Sequence, residues 1–334
     1  MSRNRPRSPA PAYRYSPVHI ACVQYDVKLG QVKENSSKVE FLTSSIRPGS
    51  LDLLVLPEMC LSGYIFPNPS SILPYLEIQG TGPTSTLAKS LARRLKCYVI
   101  AGYPEALPTT SVPTSQFSIS KLETPKSEKE VEEDEGVGYN SAMVVSPSGE
   151  VVGNYRKTFR FDTDKNWARE GDGFRYFDLP EPLGRVAIGI CMDMNPRDFI
   201  APWDAYELAT FCRDNKVDML VVPMNWLDPE PPADTPPEDY PIQNPDEPSK
   251  HNINYWLARL NPLHDPSPGY EAGPIVPGEG KEVIFVACNR VGEEKGTKFV
   301  GTSCIMTLST SPSRVELVEC CNASEERVMI ASIP

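Results

Sequence analysis

The chain has 334 residues, 40% of them hydrophobic, which is enough apolar material for one large buried core or two small ones. Acidic side chains outnumber basic ones by 44 to 33, and the resulting net charge of −11 argues against nucleic acid or an anionic membrane as partner, since both demand clustered Lys and Arg. Nine cysteines without a C-x-x-C pair, beside only three histidines, exclude zinc-type ligand spacing; we expect no metal, no cofactor, no structural disulfide and a reduced, cytoplasmic protein.

In chain order, residues 1–16 carry four arginines and no acid, as a mitochondrial presequence would, but Pro6, Pro9 and Pro11 break the amphipathic helix such a signal needs. We read a disordered basic tail followed by a single domain over 17–334. Apolar runs predict strands at 19–24 and 51–56, with a helix near 33–45 between them, then a helix over 84–94 and a strand over 98–102. A hairpin follows, 141–145 with 151–155, turning at 147–149. Further strands are expected at 185–190, 219–222, 284–288 and 303–308, with a helix near 204–215. The apolar stretch 328–333 forms a last strand or covers a sheet edge. No apolar run reaches the ~18 residues of a membrane span.

Two segments interrupt this alternation. Residues 107–136 pass from Pro, Thr and Ser into a run of Lys and Glu too polar to order itself, and read as a flexible insert. Residues 228–250 are rich in proline and acid, favour extended backbone, and follow Trp226 closely enough to help wall a pocket. The mixture of strands and helices predicts a layered α/β architecture.

Three strands each end in one reactive side chain. The run RVAIGICMDMN at 185–195 stops at Cys191 and turns polar, which puts a thiol at the sheet edge where open α/β folds keep their chemistry; a plain core cysteine is the alternative. The run LDLLVLPEMC at 51–60 delivers Glu58 beyond a strand end, and VVGNYRKTF at 151–159 delivers Lys157. A carboxylate can take the proton of a thiol, and a fixed ammonium can stabilise the oxyanion formed when sulfur attacks a carbonyl. Taken singly, Glu58 and Lys157 could be surface charges.

These three segments together resemble the nitrilase (carbon–nitrogen hydrolase) superfamily, whose catalytic residues are Glu, Lys and Cys in that chain order; the match falls on Glu58, Lys157 and Cys191. The stretches 189–196, 201–203 and 222–226 look most like the fungal N-terminal amidases within it. The resemblance implies a four-layer α-β-β-α sandwich. It implies deamidation of N-terminal Asn or Gln of proteins and peptides to Asp or Glu with release of ammonia, through a cysteine thioester, as a step of an N-degron pathway. Glu170 falls where the superfamily commonly carries a second glutamate supporting the lysine, although Asp162 and Asp164 lie nearer in sequence, and any of the three could be a loop acid.

Such an enzyme must also receive a free α-ammonium beside the thiol, which requires a carboxylate. Asp193 is the first candidate, its alternative being a turn or cap acid. Asn225 could hydrogen-bond substrate polar atoms, and Trp226 could form an apolar wall or sit in the core. Three competing readings remain. A small-molecule amidase, ω-amidase or nitrilase would keep the chemistry and change the substrate. A non-catalytic protein would use the fold and its inserts for binding. A Cys-His hydrolase would need one of His19, His251 or His264, none of which has a recognisable catalytic context. The sequence leaves the oligomeric state open.

Overall fold

The computed structural model describes residues 17–108, 136–228, 244–265 and 282–334. The basic tail, nearly all of the insert expected at 107–136 and residues 229–243 of the proline-rich insert therefore lie outside the described residues. The strands of the first half are β1 (Val18–Gln24), β2 (Leu53–Val55), β3 (Tyr98–Ala106), β4 (Gly138–Val145), β5 (Val151–Arg156), β6 (Ala168–Arg169) and β7 (Arg175–Asp178). Those of the second half are β8 (Arg185–Ile188), β9 (Met219–Pro223), β10 (Val283–Cys288), β11 (Val291–Glu294), β12 (Thr297–Val300), β13 (Cys304–Thr310), β14 (Ser313–Cys320) and β15 (Arg327–Ile333). Helices are α1 (Val32–Leu42), α2 (Pro69–Ile72), α3 (Gly82–Leu95), α4 (Asp162–Lys165), α5 (Glu207–Asp214) and α6 (Lys250–Arg259).

Two mixed sheets stack face to face. The first runs β15-β1-β2-β3-β4-β5, with β6 paired to β4, and the second runs β14-β13-β10-β9-β8-β7. Each is parallel at its centre, β1-β2-β3 in one and β8-β9-β10 in the other, and antiparallel toward its edges. Side chains of the first sheet alternate between two cores, as the period of a strand requires. Ile20, Cys22, Leu53, Val55, Ile100 and Val144 point into the core shared with the second sheet. Ala21, Val23, Leu54, Leu56, Val99 and Met143 point the other way, against α1 and α3. Burial on both faces explains why these strands read as continuous apolar runs. Helices α5 and α6 cover the far side of the second sheet, through Leu208, Cys212, Trp256 and Leu260. The layers therefore run α-β-β-α.

Helix α3 shows how the sequence specifies its layer. Leu87, Leu91 and Leu95 recur every four residues with Ala88 and Ala92 beside them, giving one buried stripe. Its first turn is held by the Glu77 carboxylate, which accepts from the Thr84 backbone N–H and hydroxyl, and Lys96 ends it in the left-handed conformation at φ +57°. The helix expected near 204–215 begins later, at Glu207, because Tyr206 adopts φ +43°. The 328–333 stretch is β15, paired antiparallel with β1 at the sheet edge. Helix α6, the β11–β12 hairpin and β14 went unforeseen; β14 is an exposed, charge-rich edge strand without a clean apolar alternation.

Strand β3 sets the position of Glu58. Beyond the end of β2 the chain still bonds to β3, through Leu56 N–H to Ile100 O, Gly102 N–H to Pro57 O and Cys60 N–H to Gly102 O. Gly102 allows this approach: a Cβ there would lie 2.6 Å from both the Glu58 Cα and the Pro57 oxygen. Gly102→Ala must push backbone rather than a flexible side chain, and we expect it to lower stability by about 1–3 kcal/mol, measured as a fall in the urea midpoint at constant m-value.

Candidate active site

The three residues picked out by the sequence leave the carboxyl ends of strands in both sheets, the location where open α/β sheets bind ligands. Lys157 follows the last residue of β5, Glu58 lies three residues after β2, and Cys191 lies three residues after β8. The Lys157 ammonium is buried and donates to Glu58 Oε1 and to Asp164 Oδ2, each at 2.7 Å. Asn140 Nδ2 bridges the same two carboxylates, at 2.7 Å to Glu58 Oε1 and 2.9 Å to Asp164 Oδ1. The remaining Glu58 oxygen accepts the Asn225 backbone N–H at 2.8 Å, while Asn225 Nδ2 donates to the Glu58 backbone oxygen. Glu58 is thereby fixed by strands of both sheets.

Asp164, at the start of α4, is the carboxylate that supports the lysine, and it also accepts the Phe161 N–H at 2.9 Å. Glu170, to which the family pattern pointed, does not fill that role. Gly171 N–H bonds the Lys157 carbonyl, so the backbone is close, but the Glu170 side chain turns outward and forks onto Arg197 at 2.7 and 3.0 Å. Asp162 is exposed and pairs with Lys165.

Cys191 occupies a sharp turn between β8 and a 3-10 turn, with φ +43°, a left-handed conformation that costs a residue with a Cβ roughly 1–2 kcal/mol. Asp193 holds this turn. Its Oδ2 accepts Ile190 N–H at 2.8 Å and the Tyr155 hydroxyl at 2.7 Å, and its Oδ1 accepts the N–H groups of Thr158 and Phe159 at 3.1 and 2.7 Å. The expectation that Asp193 receives a substrate ammonium is corrected by this: the carboxylate is buried, is filled by four internal donors, and is not on the pocket wall. It staples the Cys191 turn to the backbone just after Lys157.

Cys191 opens onto a pocket of about 570 Å³. Its buried end includes Cys191, Asn195, Asn225 and Asn252; Trp226 and Tyr255 form an aromatic wall with ring centroids 5.7 Å apart; Asp228, His251 and Lys298 stand toward solvent. Glu58 and Lys157 lie behind this lining, at 0% and 1% exposure, whereas Cys191 keeps 8%. Asn225 and Trp226 thus reach the pocket. Asn140, Tyr64, Asp228 and Asn252 were not singled out from sequence; only Asn140 gave a signal, as a residue disfavoured in strands standing inside one.

Charge sets the resting state. Burial raises Glu58 above its ordinary 4.5, with the Lys157 charge working the other way and Asp164 adding to the rise. For Lys157, burial acts against the cation, but Asp164 and Glu58 outweigh it and hold the ammonium charged. Burial and the Glu58 charge push the Cys191 thiol well up, against the pull of Lys157 and the Asn225 N–H. The sulfur therefore rests as a thiol, with the Glu58 carboxyl near enough to push it up further. All nine cysteines are free thiols, and among the described residues no group of acids, histidines and cysteines is gathered as metal donors.

Asp193→Asn keeps the size and replaces one acceptor oxygen by a donor that must face two of the four donors. We expect a loss of about 2–4 kcal/mol, seen in denaturant unfolding, together with loss of the Cys191 geometry.

Residues 19–202 match the carbon-nitrogen hydrolase family. A Schizosaccharomyces pombe protein named protein N-terminal amidase is 32% identical over 87% of this chain and 91% of its own length. A Saccharomyces cerevisiae protein of the same name is 29% identical, covering 73% of this chain and 63% of that one. A crystal structure of N-terminal amidase with an Asn-Glu-Ala peptide shares the fold at a TM-score of 0.71 and 23% identity, over 95% of this chain and 98% of that one. With the family model matching more than half of its length and a relative 32% identical over 87% of it, this chain belongs to the carbon–nitrogen hydrolase family.

Proposed function

We propose that this protein hydrolyses the side-chain amide of Asn or Gln at protein and peptide N-termini, giving Asp or Glu and ammonia through a thioester on Cys191. The observation that carries the reading is a thiol at the buried end of an open pocket, backed by a carboxylate and an ammonium already hydrogen-bonded to one another. The names of the fungal relatives direct the substrate assignment, as does the pocket, which is roomy enough for more than a small amide.

In this mechanism Glu58 takes the Cys191 proton as sulfur bonds to the amide carbon. The charge that develops on the amide oxygen is met by Lys157 and the Met192 backbone N–H. The carbon–nitrogen bond breaks, and the leaving nitrogen takes the proton from Glu58 and departs as ammonia. Water then gives a proton to Glu58 and attacks the thioester; the acid leaves, and sulfur recovers its proton from the same glutamate. One carboxyl alternates as base and acid, which its burial-raised pKa suits. Asp164 and Asn140 touch no substrate here and act by positioning Lys157 and Glu58. Nine free thiols fit a reducing cytoplasmic setting, and the product would present an acidic N-terminus to the next step of an N-degron pathway.

Purified protein should release ammonia from Asn-initiated and Gln-initiated peptides and leave the N-acetylated forms untouched. Cys191→Ala should abolish that release, and Glu58→Gln or Lys157→Met should lower kcat by roughly 10²–10⁴. Equal hydrolysis of acetylated peptides would instead favour a general amidase, and ammonia release indifferent to Cys191→Ala would end the reading. The pH profile gives a separate check. Since Glu58 must be ionised to take the proton and its pKa is raised, kcat/KM should fall with decreasing pH along a limb that lies above the ordinary 4.5.

A further inference from the structure

An amidase that acts only at a chain terminus needs a counter-charge for the α-ammonium, and Asp193 does not supply it. Among the described residues that line the pocket, Asp228 is the only carboxylate. Glu58 and Asp164 are committed to Lys157, and Glu170 is committed to Arg197. Resting on the N-terminal amidase reading, we propose that Asp228 receives the α-ammonium of the substrate and so selects free N-termini.

Three observations support this. The first is reach. Asn225, whose backbone N–H lies against both Glu58 and the Cys191 sulfur, is three residues before Asp228, and three residues of chain span at most about 10 Å. An N-terminal Asn has its amide carbon only two bonds from Cα, so a substrate with that carbon ~3–3.5 Å from sulfur keeps its ammonium within reach of the pocket wall that Asp228 lines.

The second is preorganisation. Asp228 N–H bonds the Lys298 carbonyl at 3.0 Å and Leu227 bridges to Phe299, so the segment lies along β12 as an added strand. That hairpin is held in turn by the buried Arg290–Glu294 pair, with Glu294 Oε2 accepting the N–H groups of Tyr64 and Ile65 at 2.9 Å. The third is unmet polarity. Asn225 Oδ1 and Asn252 Nδ2, on residues at 2% and 1% exposure in the same pocket, have no hydrogen-bond partner among the described residues. One acceptor and one donor complement a carboxamide and its neighbouring peptide carbonyl.

Burial raises the Asp228 pKa, the Lys298 charge offsets part of that rise, and an incoming ammonium would oppose it further. One carboxylate facing a lysine is a poor donor set for a metal ion, which favours an organic ammonium.

The test compares an Asn-initiated peptide with its desamino analogue, identical except for hydrogen in place of the ammonium, in the wild type, Asp228→Asn and Asp228→Glu. The ratio of kcat/KM for the two substrates should fall about 10- to 100-fold in Asp228→Asn, mainly through KM for the free amine, and should recover in part in Asp228→Glu. Continued turnover of the desamino peptide shows that the variant is folded. A wild type active on Asn-initiated peptides, with a ratio unchanged by Asp228→Asn, overturns the assignment of Asp228 alone. A wild type inactive on both Asn-initiated and Gln-initiated peptides overturns the N-terminal amidase reading beneath it.

Discussion

The Lys157 ammonium, held out of water between Glu58 and Asp164, is the constraint to which the rest of the site answers. Desolvating such a cation costs several kcal/mol, and the cost is met only when good geometry and further hydrogen bonds satisfy every charged atom. Asn140 supplies those bonds by linking the two carboxylates from strand β4. The cluster then holds two carboxylates against one ammonium, an excess of negative charge among buried side chains. Burial first, and then that excess, push up both the Glu58 carboxyl and the Cys191 thiol, so the sulfur keeps its proton at rest.

Burial alone does not make a nucleophile. Cys60, Cys212 and Cys97 are also buried and their thiols are also pushed up, Cys97 to about 12, with burial the first cause as it is for Cys191; Asp52 and Arg94 act on Cys97, yet none of the three lines the pocket. Cys191 differs in lining the pocket, in standing by a buried ammonium that is hydrogen-bonded to a carboxylate, and in its left-handed backbone. That conformation persists because Asp193 bonds the residue before Cys191 and the two residues after Lys157 at once. Cys191 and Lys157, the proposed nucleophile and oxyanion partner, are thus placed by one carboxylate that stays off the pocket wall.

The central strands and the three strand-end residues were legible because burial on both faces writes itself into sequence as apolar runs, and a reactive side chain closing such a run stands out. The supporting shell was not. Asp164 and Glu170 look alike in sequence; what separates them is whether the chain after Lys157 turns inward, as α4 does, or outward toward Arg197. Asp193 was legible as important and misread in role, since its donors come from residues 155–159, a contact that no local pattern reveals. Helix α6 and the β11–β12 hairpin escaped because short, polar elements stabilised by distant partners carry little periodicity of their own.

Two polar networks meet in this molecule, and Tyr64 joins them. Its backbone N–H belongs to Glu294 of the hairpin network, while its ring lies 5.6 Å from the Lys157 ammonium and its hydroxyl is 3.4 Å from Asp164. The same side chain lines the pocket. The hairpin wall along which Asp228 lies is therefore continuous in packing with the Lys157 cluster proposed to carry the chemistry. Asn225 makes a second link, since its N–H and Nδ2 bond Glu58 and its segment leads on to Asp228, so the pocket rim and the charged cluster are coupled in packing at two points.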